Sequence, residues 1–163
     1  MSSNLGSPSD GKDTKSGATE DFVTVNIADQ LFGVPVLRVQ DILGPQRITK
    51  IPLAPAEVAG ALNLRGRIVT AIDVRRRLRL EPRSGDDPGM SVVVDFGGEL
   101  YSLTVDTVGE VLSLPIDDFD SNPSTLNAVW RSVSAGIFRL KDELLVVLDV
   151  ERLLDLDNHK SAA

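Results

Sequence analysis

The chain has 163 residues, a net charge of −7, 42% hydrophobic residues and no cysteine. That length holds one compact domain or two small ones that support each other. The acidic balance excludes a nucleic-acid backbone as the main partner, and the missing cysteines exclude disulfides, thiolate metal sites and a cysteine nucleophile.

Aromatic residues make up only 4% of the chain, so Val, Leu and Ile must do the packing. No apolar run approaches the length of a membrane span, and the polar N-terminus lacks the apolar stretch of a secretory signal. A cytoplasmic protein with no direct membrane insertion is expected. Residues 1–19 have almost nothing to bury and are expected to form a disordered tail. The ordered domain is expected over residues 20–156, with a second tail at 157–163.

From Phe22 the pattern turns β-rich. Phe22–Ile27 and Leu31–Val36 read as a hairpin turning at Asp29-Gln30. Pro35 in the second strand predicts an edge position or a local break. Ile42-Leu43 runs into Gly44-Pro45, a strong stop, and Ile48–Ile51 is a short strand closed by Pro52. Pro55–Ala59 predicts one helical turn ended at Gly60. Ala61–Leu64 and Arg67–Asp73 flank Arg65-Gly66, a hairpin whose Gly supplies positive φ. Asp73 is placed to cap a helix over Val74–Leu80. A polar loop, Arg83–Gly89, follows.

Beyond it come Ser91–Phe96, a Gly97-Gly98 turn, Leu100–Val105 and Val108–Leu114. A long loop, Pro115–Val133, precedes a hairpin of Gly136–Leu140 and Glu143–Leu148 around Lys141-Asp142. Asp149 is placed to cap a last helix, Val150–Leu156.

The chain repeats itself. Phe32–Leu43 lines up with Tyr101–Leu112, and Gly60–Leu78 with Gly136–Leu154, the second copy carrying the longer loop. Each copy offers about five short strands and a small helix, without the long helices of a parallel α/β fold. Five strands with one buried face close most easily into a small barrel. The expected fold is all-β with a few short helices: two similar five-stranded barrels packed side by side. Their halves meet near residues 83–89, with room for strand or helix exchange between them. Each barrel alone is marginal in size, so each needs the other.

The catalytic inventory is poor. The one histidine, His159, lies in the C-terminal tail, so Ser-His and Cys-His mechanisms are excluded. Asp117-Asp118-Phe119-Asp120 lacks the glycine and terminal glutamate of a calcium loop and reads as a helix start. Arg75-Arg76-Arg77, with Arg79 and Arg83, reads as a solvated helix face, or else a patch for an acidic partner. Arg65 stands out, with Lys141 as its counterpart. It is an outward-projecting fork at a tight turn, and Asp41, the counterpart of Glu110, meets it if the strand ends converge. Val39 and Ile42 flank Asp41 and belong either to the core or to the seam between barrels.

Together, Phe32-Gly33-Val34-Pro35-Val36, Val39-Gln40-Asp41-Ile42, Gly60–Val69 with its Asn63-Leu64-Arg65-Gly66 hairpin, and Val105–Leu112 resemble the chemotaxis coupling protein family, CheW. The resemblance covers roughly residues 21–156. It implies SH3-like barrels and an adaptor with no catalytic, cofactor or metal site. It further implies two partners, the cytoplasmic tip of chemoreceptors and the regulatory domain of the chemotaxis histidine kinase. The receptor tip would lie in a groove lined or shaped by Val39, Asp41, Ile42, Gly60, Arg65, Val108 and Val111. Asp41 stands where Glu is common, which shortens its reach to Arg65 by one methylene. A coupler for surface sensing or pilus control has the same residues. A small ligand-binding or hydrolytic barrel is the remaining alternative. The polar ends of the chain weigh against a regulatory domain cut from a larger kinase.

Overall fold

The computed structural model describes residues 17–82 and 88–155. The tail at 157–163, most of the tail at 1–19 and most of the junction at 83–89 lie outside the described residues. Ten strands are described: β1 Thr19–Ile27, β2 Gln30–Pro35, β3 Val39–Leu43, β4 Val58–Leu64, β5 Arg67–Asp73, β6 Met90–Phe96, β7 Glu99–Val105, β8 Thr107–Pro115, β9 Ser134–Arg139 and β10 Leu144–Leu148. Three short helices, α1 Val74–Arg77, α2 Ala128–Val133 and α3 Val150–Leu153, accompany them.

The strands form two five-stranded sheets, in the orders β8-β1-β2-β10-β9 and β3-β6-β7-β5-β4. Numbered within each copy, both sheets read third, first, second, fifth, fourth. The first and second strands of a sheet come from one copy, and the other three come from the other copy. The copies have thus exchanged their opening hairpins. The junction near 83–89 divides the sequence copies and not the sheets, because β5 and β6 on either side of it share a sheet. The exchange is made through four pairings, parallel for β2 with β10 and β5 with β7 and antiparallel for β1 with β8 and β3 with β6.

The core follows this interlocking. One buried cluster joins both sheets, with Val25, Phe32 and Val34 from the first and Ile72, Val92, Val94 and Leu103 from the second. Each barrel also has a small interior of its own. Phe22, Phe138, Leu145 and Val147 fill one, and Leu62, Val69, Ala71, Val93 and Leu100 fill the other. Neither barrel can keep the shared cluster dry without the other, which is where most of the stabilising apolar burial lies.

Each barrel closes where the chain leaving its edge strand returns to the far edge. Thr49 and Ala61 exchange backbone hydrogen bonds of 2.8 Å in one, and Asp120 and Ile137 bonds of 2.9 Å in the other. Beside these bridges stand the matched glycines, Gly60 at φ +150° and Gly136 at φ +156°.

Several local expectations need correction. Pro35 is not at a sheet edge, since β2 lies between β1 and β10. The other expectation, a local break, holds: Pro35 ends β2 beyond the two pairings with β10 and starts a 3-10 turn, Val36–Arg38, so its missing N–H is harmless. Pro55–Ala59 is not helical; Val58 and Ala59 already belong to β4, where barrel closure overrides local propensity. Ile48–Ile51 contributes one bridge rather than a strand. The first turn is Ala28-Asp29, both at positive φ, as a two-residue hairpin demands. Arg65 as well as Gly66 has positive φ, for the same reason. The helices capped by Asp73 and Asp149 are a single turn each. The long loop contains a 3-10 turn, Ile116–Asp118, and α2, capped by Asn127. Thr19 is already in β1, and Ala18 accepts a hydrogen bond from Ile116 N at 3.0 Å.

The arginine run is solvated only in part: Arg76 and Arg79 are exposed, Arg77 is buried, and Arg83 lies outside the described residues. Arg75 grips Asp106 with both ends of its fork, Nε to Oδ1 at 2.9 Å and Nη2 to Oδ2 at 2.5 Å. Asp106, which links β7 to β8, also accepts from Ala28 N at 2.8 Å in the other sheet's first turn. The hydrogen bond to Asp106 is the main cause holding the Arg75 pKa above its ordinary value. Both side chains are mostly shielded from water, so the node ties the two sheets together. Asp106→Ala is expected to lower the unfolding free energy by about 2 kcal/mol, the scale of charge-assisted bonds lost from a shielded pair. Urea denaturation against wild type checks this, and a shift indistinguishable from zero would remove the node from the account.

Candidate functional site

Five of the expected site residues sit on β3 and β8, the matched edge strands of the two sheets, while Gly60 lies in β4 and Arg65 in the β4–β5 turn. Strict alternation places Val39 and Ile42, three apart, on opposite faces. A β-bulge intervenes. Val39 pairs with Val94 and Asp41 with Val93, leaving Gln40 as the extra residue. Ile42 then pairs with Val92, which belongs to the same shared cluster as Val94. The bulge therefore turns Val39 and Ile42 to one face, the face toward the other barrel.

The same device recurs in β8. Val108 pairs with Val25 and Val111 with Val23, both members of the shared cluster, with the extra residue again on the edge strand. Thr24 holds this bulge by donating Oγ1 to the Glu110 carbonyl at 2.7 Å. A Cβ on Gly109 would stand 2.6 Å from that hydroxyl oxygen, so a side chain there would push against the Thr24 hydrogen bond. Val39 and Val108 lean on the shared core, while Ile42 and Val111 remain 40% and 53% exposed. The two valine-led pairs are thus internal-symmetry mates, one at each margin of the core between the barrels.

Asp41 faces the other way. Its pairing with Val93 points it to the mouth of the second barrel, where Arg65 Nη2 meets Oδ2 at 3.0 Å. The other carboxylate oxygen accepts from Ile42 N at 2.9 Å, which fixes the short side chain against its own strand. The shorter acid therefore still reaches the arginine. Arg65 is presented by the β4–β5 turn, whose backbone is held by Gly66 N donating to Asn63 Oδ1 at 2.9 Å. With Arg65 75% and Asp41 25% exposed, the pair adds about 0–1 kcal/mol to stability. Its worth lies in a fixed guanidinium fork at the surface.

Gly60 is buried and contacts no groove. It acts from behind, letting β4 pass within reach of Thr49 so that the barrel closes and carries Arg65 toward Asp41. The structure thus joins Asp41 to Arg65, joins Val39 to Ile42 and Val108 to Val111 by face, and gives Gly60 a structural role.

Elsewhere, a cleft of about 300 Å3 opens on the first barrel, with Phe22, Phe119, Phe138, Arg38 and Asp149 in its lining. None of the expected site residues lines it. Sequence reading missed the exposed Ile68 and the cleft beside it on the second barrel. The one available signal was that Ile68 follows Arg65-Gly66-Arg67, two cations in three residues.

The CheW-like domain family matches residues 21–158. The chemotaxis protein CheW of Klebsiella aerogenes is 30% identical over 135 residues, covering 83% of this chain and 81% of that protein. The chemotaxis protein CheW of Treponema pallidum is 28% identical over 136 residues, covering 81% and 80%. Among solved structures, the scaffolding protein TtCheW from Thermoanaerobacter tengcongensis superposes with a TM-score of 0.75 at 25% identity, covering 84% of this chain and 93% of that one. The match spans nearly every described strand and helix, and the chain belongs to the CheW-like family.

Proposed function

We propose that the protein is a non-catalytic scaffold coupling methyl-accepting chemoreceptors to the chemotaxis histidine kinase. Its partners on this reading are the cytoplasmic receptor tip and the kinase regulatory domain, and it works in the cytoplasm, recruited to membrane receptor arrays. Val39, Ile42, Val108 and Val111 supply apolar contacts at the groove margins. Asp41 and Arg65 supply the polar rim, and Gly60 shapes the frame behind them.

The observation that carries this reading is the twin bulge, which turns four branched apolar side chains toward the seam without burying them. An apolar trough with a polar rim suits a helical partner. Part of the trough stays in water until a partner arrives, as a reversible contact requires.

Arg65→Ala is the test. The variant is expected to unfold within about 1 kcal/mol of wild type, because the pair is largely exposed. Receptor-dependent kinase activation, measured with reconstituted receptor, kinase and this protein, is expected to fall at least about tenfold. A folded variant that activates like wild type would remove Arg65 from the docking site.

A further inference from the structure

The two copies share a fold and differ in charge. From Gly44 to Ile72 the first copy carries Arg47, Lys50, Arg65 and Arg67 against one acid, Glu57. The equivalent stretch of the second copy, Ser113 to Leu148, carries Asp117, Asp118, Asp120, Asp142 and Glu143 against Arg131, Arg139 and Lys141. The barrel itself does not require cations here. Arg47, Lys50 and Arg67 are exposed, and among the described residues no acid pairs with them.

Ile68 stands in the same region. It is 71% exposed, with Asn63 opposite it on β4. Its counterpart, Leu144, packs against the shared core, so the first copy holds out a side chain that the second copy tucks in. Beside Ile68 lies a cleft of about 490 Å3, rimmed by Arg47, Thr49 and Asn63 over Ala61 and Leu62.

The form of the occupant follows from the backbone. The free edge of β4 is already taken where Thr49 and Ala61 exchange both hydrogen bonds, so a partner strand cannot add there. Whatever binds must satisfy its own backbone and be recognised through side chains on the sheet face. A helix does this and a strand does not. An exposed arginine rim beside an exposed aliphatic group matches a carboxylate beside an aliphatic group.

We propose that this cleft docks an acidic amphipathic helix of a partner protein. One aliphatic side chain enters beside Ile68, and a carboxylate meets Arg47 at the rim. A helix senses this local patch within a screening length, whereas an anionic bilayer is a broad plane that also meets the molecule's net charge of −7. The cleft shares none of its lining with the Val39, Ile42, Val108 and Val111 groove, and the proposal stands without the coupling reading.

The test titrates the full-length protein, labelled with nitrogen-15, with a synthetic Leu/Glu amphipathic helix and with the same helix carrying Lys for Glu. The Glu helix is expected to shift the amides of Arg47, Asn63 and Ile68, and the Lys helix is not. Arg47→Glu and Ile68→Ser are each expected to weaken binding at least about tenfold, and added salt is expected to weaken it further. Both positions are exposed, and an unchanged amide dispersion shows that the variants fold. The proposal is overturned if the Glu helix leaves these amides unmoved, or if both helices act alike. Binding confined to anionic vesicles overturns it too, as does self-association that Arg47→Glu abolishes.

Discussion

Gly60→Ala is expected to cost about 3–5 kcal/mol, a large share of the stability of a domain this size. A Cβ on Gly60 would stand 2.2 Å from the Thr49 carbonyl oxygen and 2.7 Å from Ile48 Cγ2. The carbonyl belongs to the bridge that closes the barrel, so it cannot move aside without giving up two backbone hydrogen bonds. At φ +150° the backbone is also in a region that only glycine occupies freely. Gly66→Ala is the control. That position has φ +86° but open space around it, and the expected cost is about 1 kcal/mol. Urea midpoints for the two variants separate steric closure from turn preference. Equal midpoints would show that the Thr49 contact is not what holds the barrel shut. The effect on docking is then secondary, because an open barrel no longer delivers Arg65 to Asp41.

Arg77→Leu is expected to destabilise by about 2–4 kcal/mol, although it installs the residue that the second copy uses. Arg77 is only 4% exposed. Its Nε donates to the Leu153 carbonyl at 2.9 Å, and its Nη2 donates to the Arg152 carbonyl at 3.0 Å. These are the last carbonyls of α3; that of Arg152 also accepts from Asp155 N at 3.2 Å. Burial lowers the Arg77 pKa from its usual value, yet an arginine stays charged at any working pH. The fork therefore places a full cation at the negative end of α3 and stitches copy one to copy two. Leucine keeps apolar bulk but removes the arginine donor from the Leu153 carbonyl and one donor from the Arg152 carbonyl. Lysine restores the charge without the fork, so Arg77→Lys is expected to recover only part of the loss. Thermal or urea unfolding of the three proteins checks the order wild type, Lys, Leu. Full stability in Arg77→Leu would contradict the stitching role.

The duplication was legible because it is written in apolar spacing and in matched punctuation such as Gly60 with Gly136 and Asp73 with Asp149. Both capping aspartates do accept from the backbone three residues on, Arg76 N and Arg152 N. Exchange between the halves was legible only as a possibility, and not that the opening hairpins are what exchanges. A repeat says which strands are alike, but β3 contains nothing that chooses between the hairpin of its own copy and that of the other. That choice is made by the shared core, through pairings far apart in sequence. The bulges were hidden for a related reason. Val39 and Ile42 break strand alternation, and only the register against β6 shows that both face the seam. Arg75 and Arg77 looked like part of a solvated run, because three consecutive arginines on a short helix carry no mark of burial. The hint lay in the repeat, where Arg77 matches Leu153, a fully buried residue. The Asp41–Arg65 pair was legible as a geometric possibility, and closure of the barrel made it a contact.

On the proposed function, one molecule engages receptor and kinase together, with the receptor held at the bulged seam. Sedimentation velocity on the full chain with a receptor cytoplasmic-tip hairpin and a kinase regulatory domain tests it most directly. The account predicts a ternary complex for wild type, and for Arg65→Ala a complex that keeps the kinase domain and loses the tip. A folded Arg65→Ala protein that retains the tip with wild-type affinity would contradict it.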